Sequence, residues 1–198
     1  MKKQRSLVLI KPDGTQRQLN GKIIKRIEAA GLKIIAMKFL FATREMVVDH
    51  YPSENDWFNV VGKRTLDDYL KKNIDPNIVF GSHDATEIGK TIKEWLVDYV
   101  TSGPTLALII EAYDAIGEVR KIVGATNPSA ANPGTIRGDF SHDTIELANE
   151  QLRPLYNIVH ASGSVEEAED EIKVWFDENE IMEYEKIDDQ FMFPAKKS

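Results

Sequence analysis

Residues 6–14 read S-L-V-L-I-K-P-D-G. The run from Ser6 to Ile10 is apolar after its first residue, too short for a buried helix, and punctuated by Pro12 and Gly14. It predicts a buried strand that stops at a turn and leaves Lys11 at its exit. Downstream, Asn20 is placed to cap a helix whose Ile23, Ile24, Ile27 and Ala30 share one face, with Gly31 ending it. Leu32 to Ala42 is apolar on both parities, the pattern of a covered central strand. Strand, helix and strand are complete by residue 42.

Arg44 to Tyr51 predicts a short helix. Residues 52–88 break the pattern with Pro52, Pro76 and several Asp and Asn residues; with only a weak helical stretch near Leu66 to Lys72, they read as a surface excursion. A helix near Ile88 to Val100, a Ser102-Gly103-Pro104 turn and the strand T-L-A-L-I-I-E-A at 105–112 follow. The next helix places Ile116, Val119, Ile122 and Val123 on one side and ends at Gly124. Residues 125–138 hold two Asn-Pro pairs and a Pro-Gly, a stiffened loop that excludes helix and strand. A helix at 143–152 and a last strand from Tyr156 to Ala161 come next. Ser164 followed by Glu167 is a capping-box signal for a helix that buries Val165, Ala168, Ile172, Trp175 and Phe176. This order predicts an α+β class: a ferredoxin-like α/β sandwich with a four-stranded antiparallel sheet and helices on one face.

The 198 residues, 42% hydrophobic and 29% charged, suffice for a core without staples. The absence of cysteine excludes disulfides, a thiolate nucleophile and cysteine-based metal centres. No apolar run reaches the roughly 18 residues of a membrane span. The start Met1-Lys2-Lys3-Gln4-Arg5 leads into only four apolar residues, too few for a signal peptide, so the expected location is cytoplasmic. A net charge of -7 speaks against nucleic acid and membrane as partners, and any bound anion must meet a local cluster of cations.

Lys11, Arg120 and Arg137 lie far apart in sequence, yet each borders a turn or loop, and a triphosphate needs such a cluster. Thr126, Asn127 and Asn157 offer neutral hydrogen bonds to phosphate or ribose. Of the histidines at 50, 83, 142 and 160, none lies two to five residues from another, which gives no support to a histidine metal site. His160 closes a short apolar strand before the small residues Ala161-Ser162-Gly163 and is either a hydrogen-bonded core-edge histidine or an imidazole nucleophile or general base. Gly89-Lys90-Thr91 imitates the end of a phosphate-binding loop, but the required first glycine is Asp84, whose carboxylate would repel phosphate.

Several segments in order carry a resemblance: K-P-D-G at 11–14, S-G-P at 102–104, G-A-T-N-P at 124–128, P-G-T-I-R-G-D-F at 133–140 and N-I-V-H-A-S-G-S-V-E-E-A-E-D-E-I at 157–172. Together the segments resemble the nucleoside diphosphate kinases. The resemblance implies a ping-pong transfer of the γ-phosphate of a nucleoside triphosphate to a nucleoside diphosphate through a phosphohistidine at His160. It implies that Lys11, Arg120, Thr126 and Arg137 hold phosphates, that Asn157 and Lys11 meet the sugar end, and that Tyr51 supports the site. Glu171 would hydrogen-bond the second imidazole nitrogen and Ser162 would steady Glu171. Helical spacing leaves Glu169 and Glu171 equivalent, both flanking the apolar stripe. Magnesium would arrive bound to the nucleotide, with no metal held by the protein itself. The family's base-stacking aromatic falls at Lys93 counted back from Ser102, and near Trp57 and Phe58 counted forward from Tyr51; Phe58 is preferred because stacking needs a flat apolar face. The family's acidic residues are replaced by Gly163 after the serine and Ala125 before Thr-Asn-Pro, which predicts a looser serine loop. A closed homo-oligomer, with a hexamer favoured, is implied, as is one domain over 1–198 with insertions at 52–88 and 145–156 and a tail at 181–198. Two rivals are a nucleotide-binding regulator that has no need of His160 and a P-loop kinase that depends on Lys90.

Overall fold

A computed structural model of the chain describes residues 3–187 and 189. Strands β1 (Gln4–Ile10), β2 (Lys33–Phe41), β3 (Pro104–Ala112) and β4 (Val159–Ala161) form one antiparallel sheet in the order β2-β3-β1-β4. The crossovers are α2 (Asn20–Ala29) from β1 to β2 and α7 (Ala115–Val123) from β3 to β4, the split βαβ arrangement expected. Before α2 lies a single turn, α1 (Pro12–Gln16), where the sequence suggests only a turn. Central β1 pairs Leu9 with Ala107 on one side and with His160 on the other. The exit of β1, with Lys11, therefore lies at the same end of the sheet as His160.

Helices cover both faces of the sheet rather than one. Val8, Ile10, Leu108 and Ile110 pack with Ile23 and Ile27 of α2 and Val119 and Val123 of α7. Leu7, Leu9, Ala107 and Ile109 pack on the opposite face with α3 (Arg44–His50), α6 (Ala85–Thr101) and α10 (Val165–Trp175), through Val47, Val97, Ile172 and Trp175. The reason is written in β1 and β3, apolar on both parities. Leu7, Val8, Leu9 and Ile10 are all fully buried, and a strand with two apolar faces requires two layers of cover.

Strand β2 departs from the reading in the other direction. It is an edge, not a centre, and Met37, Phe39 and Phe41 stand 59%, 62% and 72% exposed. A register shift between Ile34 and Ala36 turns the Ile35 carbonyl outward, where it accepts Met182 N–H at 2.8 Å. Tyr184 donates to the Ile34 carbonyl beside it. The remainder of the expected tail, 188 and 190–198, lies outside the described residues.

Residues 52–88 are not an irregular excursion. They form α4 (Asn55–Lys71), the short α5 (Pro76–Phe80) and the start of α6, with α4 laid against α6. A Cβ added at Gly62 would stand 1.8 Å from the Ala85 carbonyl oxygen, and one at Gly89 2.1 Å from that of Phe58. The two backbones touch where each helix has a glycine. Asp84 caps α6 by accepting Glu87 N–H, so the phosphate-loop imitation is a helix start. The 125–138 loop likewise holds a 3-10 turn (Pro128–Ala130) and the start of α8 (Ile136–Phe140), and the 143–152 helix is the shorter α9 (Ile145–Glu150).

Candidate active site

A cavity of about 590 Å³ opens at the end of the sheet where β1 exits. Lys11, Tyr51, Arg120, Thr126, Arg137, Asn157 and His160 all line it. Chain direction explains the gathering: Lys11 follows β1, Arg120 rides on the last turn of α7, Arg137 enters α8, and Asn157 and His160 flank the start of β4.

Lys11 is 5% exposed and donates to Asn157 Oδ1 at 2.6 Å. Burial pulls its pKa from 10.5 to about 8; Asp13 opposes that shift and Arg137 adds to it. Arg137 spends three donors on the carbonyls of Asn157, Gly124 and Val159, at 3.3, 2.9 and 2.6 Å. A guanidinium has five N–H donors, so two remain for an anion. Burial and then Arg120 lower its pKa to about 10. Asn157 also donates to the Thr126 carbonyl, joining the 125–138 loop to β4.

Ile158 holds the backbone between Asn157 and His160 at φ +68, a left-handed conformation that costs a β-branched residue about 1–2 kcal/mol. Its full burial returns a comparable 1.5–3 kcal/mol, approximately. Asp13 accepts its N–H at 3.0 Å and Lys11 N–H donates to its carbonyl at 2.8 Å. Gly14 leaves room for it, since a Cβ there would lie 2.8 Å from Ile158 Cγ2. The K-P-D-G segment is thus a cradle for the strained residue.

His160 Nε2 lies 2.8 Å from Glu171 Oε1, with its N–H poorly aligned on that oxygen. Ser162 Oγ donates to Glu171 Oε2 at 2.6 Å and accepts Leu7 N–H at 3.0 Å. Glu171 is 8% exposed whereas Glu169 is exposed, which separates two carboxylates that spacing left equivalent. The serine loop is not slack: Gly163 N–H donates to Glu167 Oε2 at 2.8 Å, and Ser164 accepts Glu167 N–H. Glu167 therefore reaches Gly163 instead of completing the capping box.

Tyr51 borders His160's neighbourhood, its hydroxyl pKa raised by burial and secondarily by the charge of Glu171. His50, which sequence spacing did not single out, stacks edge-on to His160 with ring centroids 4.5 Å apart. Phe58 is a correction. It is buried in the contact of α4 with α6 and does not line the cavity, whose apolar wall includes Leu96 and Leu155. Forward counting from Tyr51 failed because α4 turns that position toward Gly89. Lys93 is no base-stacking position either: its Nζ donates to the carbonyls of Val48 and Tyr51 and to Ser53 Oγ at 2.9, 2.7 and 2.7 Å.

The family model described as nucleoside diphosphate kinase matches residues 4–60 and 70–181. A nucleoside diphosphate kinase of Pyrobaculum aerophilum is 45% identical over 180 residues, spanning 91% of this chain and 98% of that protein. The solved structure of an NDP kinase from that organism superposes with a TM-score of 0.90 at 43% identity, over 92% of this chain and all of the other. The Borrelia burgdorferi nucleoside-diphosphate kinase, solved with bound vanadate and ADP as a transition-state mimic, superposes at 0.76 with 32% identity over 96% of each chain. Over most of its length, in sequence and in fold, the chain belongs to the nucleoside diphosphate kinase family.

Proposed function

We propose that His160 carries the phosphate in this chain. The observation that carries the reading is a ring that lines the cavity with its Nε2 turned toward Glu171 Oε1, 2.8 Å away. A neutral imidazole that carries its proton on Nε2, toward the carboxylate, has its in-plane lone pair on Nδ1. That lone pair attacks the γ-phosphorus, the bond to the β,γ-bridging oxygen breaks, and the nucleoside diphosphate leaves. The second nucleoside diphosphate reverses the step. Lys11, Arg120, Thr126 and Arg137 surround the phosphates, and Asn157 with Lys11 meets the ribose. Phosphoryl transfer needs little from the protein beyond such positioning and charge.

The cavity lining has four cations, Lys11, Arg120, Lys121 and Arg137, and no carboxylate. It fits magnesium that enters on the nucleotide's phosphate oxygens and keeps its waters, rather than an ion ligated by the protein. Magnesium arriving in this way would supply neutralisation of the phosphate charge alongside those cations.

Residues 52–88 and 145–156 then act as insertions in one catalytic domain. They brace each other through Tyr69, which donates to the Asn149 carbonyl at 2.9 Å, and Asn149, which donates to Asp68 at 3.0 Å. The exposed apolar row on edge strand β2 supports a homo-oligomer. A cysteine-free chain in which no described helix is long and apolar enough to cross a membrane suits the cytoplasm, where these nucleotides are plentiful.

The test is incubation with γ-labelled ATP and magnesium. An acid-labile, alkali-stable phosphoprotein is expected from the native chain and from Lys90→Ala, and none from His160→Ala. A native chain that stays unlabelled would overturn the reading.

A further inference from the structure

We propose that His50, His160 and Glu171 form a second cation site, for a zinc-like divalent ion, and that filling it silences the nucleophile. His50 ends α3 with its side chain wholly buried, and among the described residues neither of its ring nitrogens has a hydrogen-bond partner. An imidazole has one donor and one acceptor, so a buried ring with both idle is costly and calls for a ligand.

The geometry suits an ion. His50 Nδ1 stands 3.9 Å from Glu171 Oε1, His160 Nε2 stands 2.8 Å from the same oxygen, and one donor atom from each residue falls within 4.8 Å of the others. A tetrahedral ion with nitrogens at about 2.0–2.1 Å has donor-donor edges of about 3.3 Å, between the two separations found here. Two imidazoles and one carboxylate, with a fourth position for water, are a borderline-soft donor set. It selects zinc or cobalt and leaves out magnesium, which prefers oxygen and keeps its waters. Access is through His160, whose side chain is 20% exposed at the cavity.

The effect on chemistry follows from proton count. A neutral imidazole has one in-plane lone pair. An ion on Nε2 takes that pair, and the ring's single proton then resides on Nδ1, so the ring keeps its proton count and loses its nucleophile. Glu171 becomes a metal ligand and no longer orients Nε2. This silencing rests on His160 being the phosphate carrier; the ion site itself does not.

The nucleotide-free full chain is titrated with cobalt(II), then with zinc as competitor. One visible cobalt band per chain is expected, displaced by zinc and lost in His50→Phe, a change that fills the same space while removing both idle nitrogens. His83→Ala keeps the band, since His83 is exposed and pairs with Asp75 at 2.7 Å, away from the proposed site. In a second arm, phosphoprotein formation from γ-labelled ATP in excess magnesium is measured against zinc. Zinc suppresses labelling in the native chain, a chelator restores it, and the half-inhibitory zinc concentration rises at least tenfold in His50→Phe relative to that variant's own zinc-free rate. Should His50→Phe not fold, His50→Gln serves in its place. A cobalt band unchanged by loss of His50 overturns the site, and an equal zinc midpoint in both proteins overturns the silencing. If the native chain forms no phosphoprotein even without zinc, the nucleophile assignment falls and the cobalt band still decides the site.

Discussion

Lys11 at the cavity and Lys93 in the α4–α6 hairpin are both buried ammonium groups, 5% and 6% exposed, and their surroundings differ in kind. Lys93 is saturated by the oxygens of Val48, Tyr51 and Ser53, and so pins the end of α3 to α6. Among the described residues Lys11 has one close acceptor, the neutral side chain of Asn157, and a cavity in front of it. The hairpin surrounds its buried charge with oxygens; the buried charge at the cavity faces a space lined by Arg120, Lys121 and Arg137. On the function proposed above, a nucleotide phosphate meets Lys11 at the cavity, so that region serves a ligand and the hairpin serves the fold.

The sharpest way to break this contrast is Lys11→Met. Removing a donor aimed at developing phosphate charge is expected to lower kcat/KM by about 10²–10³-fold. Stability moves the other way. Holding Lys11 charged, with its pKa drawn from 10.5 to about 8, costs about 3 kcal/mol, against about 1 kcal/mol for the donor lost by Asn157. Tm should be held or raised; a marked fall in Tm with modest loss of activity would reverse the roles assigned to the two regions.

Gly62→Ala and Gly89→Ala strike the hairpin instead. Each Cβ would meet backbone oxygen at 1.8 or 2.1 Å, and backbone cannot step aside as a side chain can. The helices must separate, at about 3 kcal/mol or more. With a Tm change of about 2–4 °C per kcal/mol for a chain of this size, a fall of at least about 6 °C is expected by calorimetry. Phosphoprotein formation below the new transition should survive. Lys93→Met comes next: it strands the acceptors of the α3 terminus, costing about 1–3 kcal/mol. The same change slackens the backbone of Tyr51, so kcat should fall a few-fold, read together with Tm.

What was legible in the sequence divides along the same line. The cavity segments announced themselves because a strand exit, a proline-stiffened loop and a last strand each end in a residue whose chemistry is unusual for its place. Core alternation located β1, β3, α2, α7 and α10 for the same reason: apolar spacing records what is buried against the sheet. The hairpin was hidden because α4 and α6 meet partly through glycines, and a glycine contact leaves no apolar stripe to read. Phe58 went astray with it. Edge strand β2 looked central because its Met37, Phe39 and Phe41 are apolar yet stand exposed among the described residues. Glu171 could not be told from Glu169 until α10 was docked on β1. His50 gave no signal, since its partner lies on a different element, far along the chain.

The mildest prediction concerns pH, and it separates ligand from fold at Lys11 itself. The folded pKa of about 8 lies below the reference 10.5, so between these values the unfolded chain binds more protons and stability from this group rises with pH. Phosphate binding has the opposite sign, because it needs the charged lysine and weakens as pH climbs through about 8. Nucleotide KM should therefore rise above pH 8. Over the same range the Tm advantage of Lys11→Met over the native chain should shrink, since the native lysine sheds the charge that burial penalises. Lys11→Arg stays charged throughout and should lose the KM limb. If KM stays level across pH 8–10 in the native chain, then Lys11 is not the cation that meets the phosphates, and its burial is structural in the same sense as that of Lys93.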